Sequence, residues 1–389
     1  MYKCKCINNT EYILSNELNV PKISVIITGL NRSEDLENLF RSIHNQKVKP
    51  YEIIYVDGGS TDNSIEIAKK YGAKVIVDDE ANTPAAGRNI GLNASNGDFV
   101  LFLDSDCILS AGYMEKCYEI AKDLPQNVAG FGAGYRYLDL IYSETLTKIL
   151  VEALTCTLVN GGSPQFKLWN KRKFVSRLPG GNSCYRKDIL IKVGGFNNKL
   201  NYCEEIELGK KLTKQGFTLL YIPELVVFHK PFSTASKMLK KIAVYGYWRG
   251  WYFLKEAFSF PHLSILIFIV GLLLNFFIRF STLLLYMSSA IYILLVLINV
   301  IIEKRSFKFP LIFCAAVIIH LCYISSFLFG LINRIAHSFM AYVKKFNYTN
   351  AILRYIAIKL RKIFIERINN NYINIFITLF NFVNDGIFQ

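Results

Sequence analysis

The sequence predicts an α/β protein, a doubly wound and mostly parallel sheet, followed by a C-terminal helical region that spans a membrane. Three observations carry that expectation. Residues 21 to about 230 alternate short apolar runs with amphipathic segments that open on capping residues, the rhythm of repeated β-α units. From Pro261 onward, three long stretches carry almost no formal charge. The whole chain of 389 residues is 52% hydrophobic with a mean hydropathy of +0.26, yet its net charge is +15. Apolar and basic together suit contact with lipid and anionic headgroups. A nucleic-acid partner is not expected, because the apolar runs have no role on a duplex.

The elements follow in order. Residues 23–27 (ISVII) read as a strand, and residues 33–45 as a helix with Leu36, Leu39, Phe40 and Ile43 on one face. Residues 52–56 form the second strand, and a helix opens near Ser60-Thr61-Asp62 and stops at Gly72. Residues 74–77 make the third strand. Thr83 then caps a helix with Pro84 in its first turn, where a missing N–H costs nothing. Gly97 can end that helix, and residues 99–103 are the fourth strand. Right-handed crossovers then give a largely parallel sheet with helices on both faces.

Past residue 232 the pattern changes. Residues 233–260 interleave Lys237, Lys240, Lys241 and Arg249 with Met238, Leu239, Tyr247, Trp248 and Trp251, the composition of an interfacial amphipathic helix. Residues 261–278, 280–302 and 309–333 each approach the roughly 20 residues that cross a bilayer. The loop Glu303-Lys304-Arg305-Ser306-Phe307-Lys308 is basic and belongs in the cytoplasm by the positive-inside tendency, which places the N-terminal half there too. The expectation is a multi-pass protein of the cell membrane. Residues 334–389 form a basic helical tail that three crossings would place outside, against that tendency; a re-entrant third segment or an extra crossing over 372–383 would resolve it. Residues 1–20 are an N-terminal extension with no apolar core, so no signal peptide is expected. The nine cysteines include no CxxC pair and read as reduced.

In open parallel sheets, ligands bind beyond the carboxyl ends of the strands. Asp57 ends one such strand, in "YVDGGSTDNS"; Asp104 and Asp106 end another, in "FVLFLDSDCILS". A single aspartate after a strand is ordinarily a turn-former. Two carboxylates at close range repel unless a cation sits beside them, and oxygen ligands with open positions suit Mg²⁺ or Mn²⁺. A dinucleotide fold of the G-x-G-x-x-G kind is excluded, since Thr28-Gly29-Leu30-Asn31-Arg32-Ser33 follows the first strand.

Over residues 21 to 230 the segments "ISVIITGLNRSEDLENLFRSI", "EIIYVDGGSTDNS", "AAGRNIGL", "FVLFLDSD", "PGGNSCYRKDILIKVGGF", "CEEIELGKKLTKQGF" and "LLYIPELVVFHK" stand in an order and spacing that resemble family 2 glycosyltransferases of the GT-A fold. The resemblance implies a nucleotide-sugar donor, UDP-linked by preference, and a metal-dependent, inverting single displacement. It gives Asp57 a contact to the base and Arg88 one to the nucleotide or its diphosphate. Asp104 becomes a ribose or metal contact, Asp106 the direct metal ligand, and His229 a group beside metal and diphosphate. Asn182 and Arg186 would line the donor-sugar and acceptor side, with the glycines before them admitting a ligand. Glu204-Glu205 stands where the family has Glu-Asp, which makes Glu205 the expected general base, one methylene longer than the usual aspartate. Neighbouring helix residues point about 100° apart, so the two glutamates cannot share a role. The expected acceptor is a lipid-linked or membrane-presented glycan, held close by the anchor. Polyprenyl phosphate, which needs no base, is the other enzyme reading, and a non-catalytic nucleotide- or glycan-binding membrane protein the third.

Overall fold

The computed structural model describes residues 20–79, 83–137, 145–160, 163–166, 168–230, 234–252, 282–304 and 308–345. The chain divides into two units, residues 1–138 with 164–230, and residues 139–163 with 231–389. The first unit opens with β1 (Ile23–Gly29), α1 (Ser33–His44), β2 (Glu52–Asp57), α2 (Ser64–Lys70), β3 (Lys74–Val77), α3 (Pro84–Ala94) and β4 (Phe99–Asp104). It continues through β5 (Cys107–Leu109), α4 (Tyr113–Lys122), β6 (Val128–Gly132) and β7 (Tyr135–Tyr137). The second unit contributes α5 (Thr145–Leu154) and α6 (Thr157–Asn160). The first then resumes with β8 (Lys173–Val175), β9 (Asn182–Arg186), α7 (Lys187–Lys192), α8 (Glu204–Lys214), β10 (Thr218–Tyr221) and β11 (Val227–His229).

The eight-stranded sheet has the order β3-β2-β1-β4-β9-β6-β10-β8. The strands β3, β2, β1 and β4 are mutually parallel. β9 runs antiparallel between β4 and β6. The strand order reverses at β1, whose end pairs Thr28 with Asp104 on one side and Gly29 with Asp57 on the other. This is the switch point where α/β sheets take their ligands. A small sheet, β5-β11-β7, stands beyond that edge and pairs His229 with both Cys107 and Tyr137.

The expected helix faces are present. Leu36, Leu39, Phe40 and Ile43 are all buried in the core against β1 and β4, each contributing about 1.5–3 kcal/mol. The Thr83 hydroxyl accepts the Ala86 N–H at 3.0 Å, capping α3. The helix after β2 starts later than expected, at Ser64. The residues before it are occupied in a two-loop clasp. Ser60 Oγ accepts the Asn31 N–H, Asp62 Oδ2 accepts the Ser33 N–H, and Asn31 Oδ1 accepts the Thr61 N–H. Asn31 takes a left-handed φ of 53° to make these bonds.

The second unit holds α5 and α6 together with α9 (Ala235–Tyr252), α10 (Thr282–Lys304) and α11 (Phe309–Lys345). It includes residues 139–163, which the sequence reading left inside the first domain. Its polar contacts explain the grouping. Both Glu303 carboxylate oxygens accept the Thr157 N–H at 3.2 Å, and Asn299 Oδ1 accepts the Leu158 N–H. The first turn of α6 therefore receives its missing partners from α10, and Glu303 is a helix residue rather than part of a loop. Glycines let α9 and α11 approach backbone to backbone: a Cβ on Gly250 would lie 1.8 Å from the Phe327 carbonyl oxygen, and one on Gly330 1.9 Å from that of Tyr247. Gly246 and Gly250 are spaced four apart, the small-residue pattern of closely packed helices. Among the described residues, one helix is long and apolar enough to cross a membrane, Phe309–Arg334, where three such spans were expected. The expected span 261–278 and the tail from 346 lie outside the described residues.

Candidate active site

β4 ends on Asp104, whose carboxylate is fixed on both sides. Oδ1 accepts from Arg88 Nη2 at 3.2 Å, and Oδ2 accepts from the Tyr135 hydroxyl at 2.8 Å. The Tyr135 oxygen in turn accepts the Gly181 N–H at 2.9 Å. Burial, then the charge of Asp104, push the Tyr135 phenol well above its ordinary range, so it stays a donor. Each Asp104 oxygen thus has a protein donor, while the side chain keeps 31% of its surface exposed.

Arg88, from the first turns of α3, is buried between two carboxylates. Besides Asp104, its Nη1 donates to Glu204 Oε1 at 2.6 Å, and its guanidinium lies 5.6 Å from the centre of the Phe196 ring. Burial works against its charge, but Glu204 and then Asp104 outweigh that, and Arg88 stays protonated. The two glycines before Asn182 let these side chains approach closely: a Cβ on Gly180 would meet Arg88 Nη2 at 2.8 Å, and one on Gly181 would meet Asp104 Cγ at 2.0 Å.

Glu204 and Glu205 open α8, behind Cys203 in a left-handed conformation with φ 67°. Glu204 is buried, 8% exposed. Burial, then the adjacent Glu205, push its carboxyl up to about 7, against the pull of Arg88. Glu205 lies one residue on, only partly buried, and its side chain points elsewhere on the helix. The two glutamates occupy different surroundings, as their helical offset requires.

Asp106 follows Asp104 by a two-residue turn and meets β11. Its Oδ1 lies 3.2 Å from His229 Nε2, and Cys107 Sγ completes a group whose ligand atoms all fall within 4.8 Å of one another. His229 Nδ1 pairs with the Lys230 carbonyl at 2.8 Å, which leaves Nε2 facing Asp106. The imidazole packs on Tyr135 and Tyr137, ring centres 4.9 and 5.8 Å away. Burial opposes protonation of His229, but the hydrogen bond and charge of Asp106 more than offset it. A carboxylate oxygen and an imidazole nitrogen converging on one point fit a divalent ion of the Mn²⁺ type, with Mg²⁺ favouring the oxygen side. Cys107 was missed in the sequence because it reads as the first apolar residue of a strand.

Of three further expected residues, Asp57 and Asn182 lie at the strand ends beside Asp104 and Arg186 lies away from it. Asp57 is fully buried, and its carboxylate accepts the N–H groups of Gly59 and Ser60 and the Ser60 hydroxyl. These bonds close the turn after β2, at the strand end where Asp57 pairs with Gly29 of β1. Asn182 is also fully buried; its Oδ1 accepts from Tyr113 and its Nδ2 donates to the Leu225 carbonyl, so it ties the interior together. Arg186 lies at the far end of β9. Antiparallel pairing sets Asn182 opposite Leu103 but Arg186 opposite Phe99, away from Asp104. There its guanidinium donates to the Leu124 and Val128 carbonyls.

Comparison with known proteins accords with this layout. Residues 24–194 match the sequence model of the family described as Glycosyl transferase family 2. The chain is 25% identical over 237 residues to glycosyltransferase AglE of Haloferax volcanii, spanning 57% of this chain and 71% of that protein. It is 27% identical over 223 residues to an uncharacterized glycosyltransferase of Haemophilus influenzae, covering 55% and 71%. Among solved structures, the fold is similar to the mannosyltransferase PcManGT from Pyrobaculum calidifontis in complex with GDP-Man and Mn²⁺. The TM-score is 0.51 at 13% identity, over 80% of this chain and 87% of that one.

Proposed function

Since the chain belongs to glycosyl transferase family 2 and is a glycosyltransferase of GT-A fold, we propose that it moves a sugar from a nucleotide donor onto a lipid-linked or membrane-presented glycan, with inversion. The observation that carries this reading is the convergence of Asp106 and His229 at the sheet edge where Asp104 is held. In this reading Asp106 and His229 hold a divalent ion, Mn²⁺ or Mg²⁺. A bound ion of that kind supplies positive charge for the departing nucleoside diphosphate. Asp104 shapes the donor side from its fixed position between Arg88 and Tyr135.

Glu205 is the proposed general base. The acceptor hydroxyl gives its proton to the Glu205 carboxylate as its oxygen bonds to the anomeric carbon. The bond from that carbon to the diphosphate oxygen breaks, and the electron pair leaves with the nucleotide. Such a base contributes roughly 10²–10⁴ in rate. Glu204 is the weaker candidate because its carboxylate is already bonded to Arg88.

Membrane placement rests on the 26-residue apolar helix Phe309–Arg334. Held beside a bilayer, the enzyme meets a lipid-borne acceptor at high effective concentration. The test is to incubate membranes containing the protein with a panel of radiolabelled nucleotide sugars and extract the lipid. Label in an oligosaccharide-bearing lipid supports the reading. Label in a one-sugar lipid labile to mild acid replaces the glycan acceptor with polyprenyl phosphate, and no transfer from any donor contradicts the proposal.

A further inference from the structure

Arg88 joins the two acidic segments of the site. Its side chain is 7% exposed, and its two terminal nitrogens each bond a carboxylate from a different part of the chain, Asp104 16 residues away and Glu204 116 residues away. Moving it off Glu204 would abandon a buried carboxylate that already has Glu205 beside it. Gly180 and Gly181 have the backbone form that this buried pair requires, since any Cβ there would strike the guanidinium or the Asp104 carboxylate. The first turn of α8 begins on the left-handed Cys203, and the buried Arg88–Glu204 bond ties it to the side chain that also holds Asp104, alongside the core packing of Leu208 and Leu212.

We propose that Arg88 is a positioning residue: it acts through Glu204 and Asp104, locking the first turn of α8, and therefore Glu205, to the strand end that carries Asp104. The guanidinium suits this task because its planar fork addresses two carboxylates at once, which a lysine ammonium on a flexible stem does not. Tyr135 does the matching work on the second oxygen of Asp104, bridging it to the Gly181 N–H. The inference rests on the transferase reading of the site, in which Glu205 takes the acceptor proton.

The experiment uses the full chain in detergent with Mn²⁺, measuring UDP binding by calorimetry and transfer by labelled sugar. Arg88→Gln and Glu204→Gln are each expected to lower kcat about 100-fold, the usual effect of misplacing a reacting group by about 1 Å. UDP affinity is expected to stay within about threefold. The double variant should be no slower than either single one, because both remove the same link. Arg88→Lys should restore only part of the loss. Thermal unfolding of each variant shows whether it folds. Because the single substitutions leave a buried charge alone, the pair Arg88→Met with Glu204→Met supplies a charge-balanced alternative, and it too should fold and turn over slowly. The proposal is overturned if Arg88→Gln weakens UDP binding tenfold or more with kcat kept, if the two losses multiply, or if the Met pair transfers at the wild-type rate. A wild-type chain that binds UDP but transfers nothing refutes the transferase reading, while the binding comparison still decides whether Arg88 touches the nucleotide.

Discussion

Replacing Gly181 by alanine tests how tightly the site is built. The added Cβ would lie 2.0 Å from Asp104 Cγ and 2.2 and 2.3 Å from its two oxygens, where real Cβ contacts do not fall under 3.0 Å. Something must move by about 1 Å, and the backbone on either side is held by the Gly181–Tyr135 bond and by pairing with β4. The Asp104 carboxylate is the part that can yield. Its shift breaks its bonds to Arg88 and Tyr135, each to a charged group and worth about 1.5–3 kcal/mol. Repacking recovers some of this, which leaves a net loss of about 2–5 kcal/mol, within the range for overpacking with lost polar contacts. For a unit of this size that lowers the unfolding temperature by roughly 5–15 °C, and a 1 Å displacement at the reacting centre lowers turnover about 100-fold. Gly216→Ala is the control. It has open space around it and a φ of 83°, so it costs only about 1 kcal/mol of backbone strain and leaves turnover alone. Calorimetry and labelled-sugar transfer on the detergent-solubilised chain measure both quantities. A Gly181→Ala protein as stable and as active as wild type refutes the arrangement of Asp104 described above.

Three further outcomes follow from other parts of the chain. Glu205→Gln is expected to lower kcat by about 10²–10⁴ while UDP affinity stays within about threefold, as pre-steady-state transfer and calorimetry would show; the same split in Glu204→Gln with Glu205→Gln unaffected would move the base. Arg186→Ala removes its bonds to the Leu124 and Val128 carbonyls and its contact with the Phe99 ring, so thermal unfolding should register a loss of about 1–2 kcal/mol with donor affinity unchanged. In the second unit, Gly250→Leu places atoms where the Phe327 carbonyl oxygen stands. That should part α9 from α11 and make the helices sensitive to limited proteolysis, whereas a protease-resistant variant would contradict their backbone contact.

The strand ends were legible because buried strands and capped helices leave a periodic trace. The runs before Asp57 and Asp104, the Thr83 cap and the face of α1 all appear where that trace places them. The tertiary partners were not legible. A sequence shows two aspartates after two strands in the same light, yet one folds its carboxylate into a turn while the other receives Arg88 and Tyr135. Arg186 was misplaced for a definite reason: β9 runs antiparallel to β4, so the same strand that brings Asn182 near the site carries Arg186 away from it, and strand direction leaves no mark in composition. The glycines at 180 and 181 signal a close approach, and in the structure the side chains of Arg88 and Asp104 stand against them, partners that the sequence alone does not name. Gly246 and Gly250 carried a readable packing signal that their basic, aromatic surroundings masked.

The most direct measurement is manganese binding to the full chain and to Asp106→Ala, followed by electron paramagnetic resonance in the presence of UDP and paired with labelled-sugar transfer. The account predicts a bound, nucleotide-dependent Mn²⁺ signal and transfer in the wild type, with both lost in a variant that still folds by thermal unfolding. Wild-type-like transfer by Asp106→Ala, or an unchanged Mn²⁺ signal, would contradict the assignment of Asp106 and His229 to the metal.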